Sequence, residues 1–214
     1  MMVPETLAAD MPRHSHASAY AALVIRGGYE EAGDRGRLNV RAGDVVLHEC
    51  FEAHLDRIER RGAQVVNVAL PPSVHVACGH GAISDPDRVL AEPRETAGAL
   101  LLSLFKPAPR HMQDWPDLLA AELNADPFLD LGRWSDKVKL SPWTVSRGFQ
   151  HVFGISPSRF RLRARTRRAW NAIRITRVPL AAIAASCGFA DQAHMTRAVR
   201  ALTGVPPMAW RCCK

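Results

Sequence analysis

Val145-Ser146-Arg147-Gly148-Phe149-Gln150-His151-Val152-Phe153-Gly154-Ile155-Ser156-Pro157 and Met195-Thr196-Arg197-Ala198-Val199-Arg200-Ala201-Leu202-Thr203-Gly204-Val205-Pro206-Pro207 are two copies of one pattern, 50 positions apart. The offset superposes Arg147 on Arg197, Gly154 on Gly204, Pro157 on Pro207 and Arg161 on Arg211. It also pairs Ser146 with Thr196, Ile155 with Val205 and Phe160 with Trp210 in kind. A fixed offset carrying this many matches marks one supersecondary unit used twice. Apolar residues recur at helical spacing in each copy, as Val145, Phe149 and Val152 and as Met195, Val199 and Leu202. Ser141 before Pro142 offers a capping hydroxyl and an N1 proline, Asp191 serves the start of the second helix, and Gly154 and Gly204 suit C-caps. A shorter helix precedes each copy, marked by Leu131, Trp134 and Val138 and by Leu180, Ile183, Ala184 and Cys187. A short helix, a tight turn and a longer helix make a helix-turn-helix. The spacing predicts two, over about residues 130–154 and 179–204.

The outward residues of both longer helices suit contact with base edges. The first exposes Trp143, Thr144, Ser146, Arg147 and Gln150; the second exposes Gln192, Ala193, His194, Thr196, Arg197 and Arg200. Arg bonds guanine O6 and N7 in bidentate fashion, Gln reads adenine, and the Thr methyl meets the thymine methyl. A solvated helix face would explain any one of these residues, but not two matching faces inside a strongly basic segment. The DNA base-reading candidates are therefore Trp143, Thr144, Ser146, Arg147, Gln150, Gln192, His194, Thr196 and Arg197. Arg159, Arg163 and Arg200 are candidates for phosphate contact.

Gly154-Ile155-Ser156-Pro157, Ala182-Ile183-Ala184, Gly188-Phe189-Ala190-Asp191 and Gly204-Val205-Pro206-Pro207, followed by Trp210-Arg211, resemble the DNA-binding domain of the AraC/XylS family. The resemblance covers about residues 115–211. It implies two helix-turn-helix units joined by one long helix, with their second helices entering successive major grooves. It maps family base-reading positions onto Trp143, Ser146, Arg147, Gln192 and Arg197, and it gives Arg165 the place of a structural arginine in the joining helix. Met195, Val199 and Ser135 depart from the family pattern, at positions that concern core packing.

Charge separates the two halves. Residues 1–113 carry 12 Lys and Arg against 14 Asp and Glu, and residues 114–214 carry 16 against 7. From residue 138 to residue 190 there is no acidic side chain. A near-neutral front half joined to a basic back half suggests a sensor attached to a polyanion binder. Pro157 to about Thr176 reads as the joining helix, with Phe160, Ala164, Trp170 and Ile173 on its buried side. About 20 helical residues span roughly 30 Å, close to the roughly 34 Å that separates major grooves one turn apart.

Residues 13–83 read as short strands: Ala21 to Ile25 ending at Gly27-Gly28, Leu38 to Arg41, Val45 to His48, and Val65 to Leu70, with Gly62 and Pro71-Pro72 as breaks. His14 and His16, the turn Ala42-Gly43-Asp44 and His54 resemble a degenerate cupin pattern over roughly residues 10–83. A metal-binding cupin would add a Glu a few residues after the paired histidines, where Tyr20 and Ala21 stand, with His48 at most a stand-in. The expectation is therefore a metal-free effector pocket at His14, His16 and His54, with no cofactor. His75, Cys78 and His80 form a looser group among Gly and Pro, in a stretch that reads as a loop. Ser84-Asp85-Pro86 opens one helical stretch and Pro93 to Phe105 another.

The expected architecture is multidomain α and β. A cupin-like β-barrel sensor occupies residues 1–105, with strands over about 13–83 and a helical stretch over 84–105. A linker over 106–114 follows, then an all-α AraC-type DNA-binding domain over 115–214 whose first helix runs from Trp115 to about Asn124. The expected function is a sequence-specific DNA-binding transcriptional regulator controlled by a small-molecule effector, not an enzyme. A metal-dependent cupin enzyme fused to a DNA-binding domain is the alternative. A DNA-repair methyl acceptor would need a cysteine cluster that the five cysteines do not form. Partners are double-stranded DNA over two adjacent major grooves, the effector, RNA polymerase and a second copy of the chain, with no membrane. An odd cysteine count without C-x-x-C spacing, and the lack of a signal-peptide pattern, point to the cytoplasm.

Overall fold

A computed structural model describes residues 2–71, 79–109 and 112–212. The chain divides into two compact units, Met1–Gln113 and Asp114–Lys214. The first is rich in sheet and the second is helical.

Among the described residues, eight strands form the sheet of the first unit: β1 Glu5–Leu7, β2 Met11–Ser15, β3 Tyr20–Gly33, β4 Gly36–Arg41, β5 Asp44–His48, β6 Ala53–Ala69, β7 His80–Ile83 and β8 Phe105–Pro107. Every pairing is antiparallel. The order is β1-β6-β3-β5-β7-β8, with β2 also on β6 and β4 also on β3. Among the described residues no ladder joins β1 to β8, so the sheet is open and the expected closed barrel is not what forms. Two helices, α1 Pro86–Ala91 and α2 Arg94–Leu104, follow β7.

The β3–β6 ladder runs from Tyr20 opposite Ala69 to Gly33 opposite His54 and carries the rest. Ala21 and Leu23 face one apolar cluster with Val45, Leu47, Val66, Val68, Val89, Ala97 and Leu101. Ala22 and Val24 face another with Tyr29, Leu38, Val40, Val46 and Val65. Burial on both faces is why Ala21 to Ile25 is continuously apolar rather than alternating. The apolar side of α2 belongs to the first of these clusters, so it is spent on the core of its own unit.

Two expectations about these strands change. Gly27-Gly28 and Gly62 do not end strands; they lie inside β3 and β6, where the register shifts on either side of Gly27. Both take positive φ, +69° at Gly27 and +72° at Gly62, and a Cβ on Gly27 would meet the Gly62 carbonyl oxygen at 1.9 Å. The glycines let two long strands bend together, as a bulge does. Second, Lys106 and Pro107, expected in the linker, pair with Ala82 and Gly81 as β8. Two prolines favour extended backbone, and extended backbone is also what an edge strand requires. His75 and Cys78 of the looser group lie outside the described residues.

The second unit holds α3 Trp115–Ala125, α4 Leu131–Lys137, α5 Pro142–Phe153, α6 Pro157–Ile175, α7 Leu180–Ser186, α8 Gln192–Thr203 and α9 Pro207–Cys212. Phe149, Phe153 and Phe160 form an aromatic core where α5 meets α6, with ring centroids 4.5 to 5.3 Å apart. Phe153 thus fills the place assigned to Val152, which is only half-buried. Thr166 and Ala169 join Phe160, Trp170 and Ile173 on the buried side of α6, whereas Ala164 is half-buried. Ser135 is buried without harm because its hydroxyl donates to the Gly132 carbonyl at 2.8 Å.

Candidate nucleic-acid interface and a histidine cluster

The two longer helices begin and end alike because their caps are alike. Ser141 Oγ accepts from the Thr144 amide at 3.1 Å, and Asp191 Oδ1 accepts from the His194 amide at 2.6 Å. Gly154 and Gly204 close α5 and α8 in the left-handed region, at φ 72° and 79°. Each 12-residue helix is therefore set in the same phase relative to its repeat, so positions 50 apart face the same way.

Val145, Phe149 and Phe153 anchor α5, and Met195 and Val199 anchor α8. That leaves Trp143, Ser146, Arg147 and Gln150 exposed on α5, and Gln192, Arg197 and Arg200 exposed on α8. The Arg147 guanidinium lies 5.0 Å from the centre of the Trp143 ring. Arg147, Gln150 and His151 line a concavity of about 370 Å³ on the α5 face. Thr144, Thr196 and His194 are half-buried. The Thr144 hydroxyl lies 2.8 Å from Ser141 Oγ within the cap, and the His194 ring packs edge-on against Phe189 at 5.2 Å. Both side chains are thus engaged in contacts at the helix starts. Of the phosphate candidates, Arg159 and Arg200 are exposed and Arg163 is half-buried.

The arginines of α6 divide by partner. Arg165 Nε donates to the Pro127 carbonyl at 2.6 Å, and Arg165 Nη2 reaches the same oxygen. Arg161 donates to the Leu129 carbonyl at 2.8 Å and Arg168 to the Asn124 carbonyl at 2.5 Å. These three tie α6 to the C-terminal end of α3 and to the segment between α3 and α4. Burial, then the neighbouring Arg161 charge, lowers the pKa of Arg165. The ladder of arginines that reads as one basic stripe is thus partly structural.

These paired, capped helices with basic outward faces are of the helix-turn-helix class. Residues 134–212 match a family model described as a helix-turn-helix domain. The chain is 31% identical over 86 residues to the HTH-type transcriptional regulator GbdR of Pseudomonas aeruginosa, an alignment covering 40% of this chain and 23% of that protein. It is 30% identical over 109 residues to the arabinose operon regulatory protein of Salmonella typhimurium, covering 51% of this chain and 38% of that one. The chain therefore spans about a quarter to about two fifths of the length of these curated relatives. Over this half the chain is similar to these transcriptional regulators. Among solved structures, it is similar to the C-terminal domain of the response regulator AraT from Geobacillus stearothermophilus, with a TM-score of 0.45 and 20% identity over 49% of this chain and 89% of that one. ToxT from Vibrio cholerae matches with a TM-score of 0.47 and 8% identity over 99% of this chain and 95% of that chain. No helix is long and apolar enough to cross a membrane among the described residues.

In the first unit the three expected histidines come together. His14 on β2 stands opposite His54 on β6, and His16 follows just beyond β2. Their ring centres are 4.3 Å apart for His14–His54, 5.0 Å for His14–His16 and 5.9 Å for His16–His54. Tyr20 lies edge-on to His16 at 4.8 Å, and its hydroxyl is 3.0 Å from His54 Nε2. His16, Ser18, Ala19, Tyr20, Asn67 and Ala69 line an adjoining pocket of about 260 Å³.

Sequence reasoning missed the carboxylates of this cluster. Glu31 on β3 places Oε2 3.4 Å from His48 Nε2, and Asp56 on β6 places Oδ1 3.0 Å from His54 Nδ1. Both are buried, 3% and 4% exposed. The acid was sought a few residues after His16, but strand pairing delivers it from 15 or more positions away. The alternating pattern Asp56, His54 along β6 was the available signal, since period-two spacing puts both on one face.

Burial drives the His48 pKa well below 6.5, and His54, Arg35, His16 and His14 push the same way. His16 is lowered by burial and by His14 and His54. Burial also works against a charged His54, but the Asp56 hydrogen bond and the charges of Glu31, Asp56 and Glu52 outweigh it and raise its pKa. Burial and the nearby Glu31 raise the Tyr20 pKa, so its hydroxyl keeps its proton.

Proposed function

We propose that the chain is a sequence-specific, DNA-binding transcriptional regulator in which α4–α5 and α7–α8 act as two helix-turn-helix units joined by α6. The duplicated outward face carries this reading: Arg147 and Gln150 on α5 repeat as Arg197 and Arg200 on α8, behind equivalent caps. The 19 residues of α6 span about 28 Å, which suits grooves roughly one DNA turn apart. Arg147 and Arg197 read bases, with Trp143, Ser146, Gln150, Gln192 and Thr196 around them. Thr144 and His194, held at the helix starts, contribute less. Arg159 and Arg200 hold phosphates and supply most of the salt dependence, with Arg163 a weaker contributor.

The first unit acts as the sensor, a cupin-like sheet open at β1 and β8 with its effector site at His14, His16 and His54. The family names of the curated relatives support regulation over catalysis, and we read the chain as a regulator rather than an enzyme. RNA polymerase and a second copy of the chain are the protein partners this role implies, and the cytoplasm is its place.

Selection of bound duplexes from a random DNA pool tests the reading. The expected product is a two-part motif with centres about 10 base pairs apart. Binding with no sequence preference, governed by salt alone, would sink it.

A further inference from the structure

We propose that the first unit binds one divalent first-row transition-metal ion through His14, His16 and His54. One nitrogen of each ring lies within 4.8 Å of those of the other two. An ion of the zinc class holds imidazole nitrogens at about 2.0–2.1 Å, which sets them about 3.3 Å apart in a tetrahedral shell. His16 is exposed and His14 half-exposed, so both rings can close that gap by side-chain rotation.

The hydrogen bonds around the cluster already select the ligating tautomer. His54 Nδ1 faces Asp56 Oδ1 at 3.0 Å, and His14 Nδ1 faces the Pro12 carbonyl at 2.9 Å. A carboxylate and a carbonyl only accept, so each Nδ1 carries the hydrogen and each Nε2 keeps its lone pair. Tyr20 donates to the Nε2 of His54, and an arriving ion would take that lone pair in its place. A carboxylate that holds a histidine by its far nitrogen is the recurrent support of a metal ligand. Asp56 and Glu31 also set negative charge behind the rings, where Glu31, His54 and Asp56 bring ligand atoms within 4.8 Å of one another. Ion binding would offset the cost of burying those charges. Three protein ligands leave a fourth position, and the pocket beside His16 and Tyr20 gives it room for water or a small oxygen ligand.

A metal ion at this place would be the effector, or the group through which the effector is held. That consequence rests on the sensor reading above; the binding site does not. The test uses the full chain without a histidine tag, stripped with a chelator, and titrated with Zn(II) against a chromophoric competitor. One equivalent should bind at micromolar affinity or tighter. Asp56→Asn should weaken binding by about 10- to 100-fold. His16→Gln, a change at an exposed position, should weaken it at least tenfold. Absence of one-equivalent binding, or affinity unchanged in His16→Gln and in a folded His14→Ala/His54→Ala variant, overturns the proposal. Affinity for the selected DNA, measured with and without Zn(II), separates the two readings. Site-dependent binding of Zn(II) that leaves DNA affinity unchanged upholds the metal site and removes the sensor role.

Discussion

The Arg147 guanidinium packs over the Trp143 ring, 5.0 Å from its centre, on the outward face of α5. Trp143 is 68% exposed and makes this contact one helical turn ahead of the arginine. The equivalent pair in α8 is Ala193 and Arg197, so only α5 orients its arginine on an aromatic platform. Such contacts are worth about 0.5–1 kcal/mol at exposed sites. Trp143→Ala should therefore relax preference in the half-site read by α5 and leave the α8 half-site alone. Site selection on the variant measures both at once, and equal loss in both halves would contradict the assignment.

Arg147→Ala and Arg197→Ala should each cost about 1–3 kcal/mol of binding and blur a different half-site. Arg159→Ala should weaken all sequences alike and reduce the salt slope by about one. Titrations at several salt concentrations on selected and scrambled duplexes distinguish these outcomes. If Arg197→Ala changes only overall affinity, α8 clamps the backbone and reads nothing.

Arg165→Ala should act on folding rather than on base preference. It removes the donors to the Pro127 carbonyl, a charge-assisted contact worth about 1–2 kcal/mol after allowing for its partial exposure. The expected fall in Tm is several degrees for a unit of this size. All five tryptophans lie between Trp115 and Trp210, so their fluorescence reports this unit alone. An unchanged Tm would show that the contact is not structural.

His48 gives the first unit a pH dependence. Its folded pKa lies below its ordinary value of 6.5, with Glu31, Tyr20, His54, His16, His14 and Arg35 as its polar surroundings. As pH falls through 6.5 the unfolded ring takes up a proton that the folded ring refuses, so stability drops. His16 acts in the same direction. His54, raised when folded, acts oppositely, and its contribution fades as pH rises through its folded value. His48, only 2% exposed, and His16 both resist protonation in the folded unit, so the unit should be more stable at pH 7 than at pH 5. Amide exchange in β3 and β6 measures it. His48→Gln should flatten the slope, and a steeper slope in that variant would refute the account.

Gly27→Ala should destabilise the sheet by more than about 2 kcal/mol, through positive φ and a Cβ driven onto the Gly62 carbonyl. Denaturant midpoints followed at β3 and β6 give the figure. A loss below 1 kcal/mol would mean that the bend can relax.

The sequence by itself determined the second unit almost element by element. Ser141, Gly154, Asp191 and Gly204 set helix ends through contacts within a few residues, and the 3.6-residue period shows which face is buried. Both signals are local, so the repeat could be read directly from the residues. Tertiary structure decided the first unit. Gly27 and Gly62 read as strand ends because a glycine's meaning in a sheet depends on what approaches it, and their approach joins residues 35 positions apart. The histidine cluster divided in the same way. His14, His16 and His54 were legible as a set, whereas Glu31 and Asp56 became its partners only through the β3–β6 and β2–β6 ladders. Arg165 shows the same division on α6: its charge was plain in the chain, but only packing against the Pro127 carbonyl separates it from arginines that can reach DNA. Helix signals travel through bonds a few residues long, while strand partners and buried charge pairs are chosen across the fold.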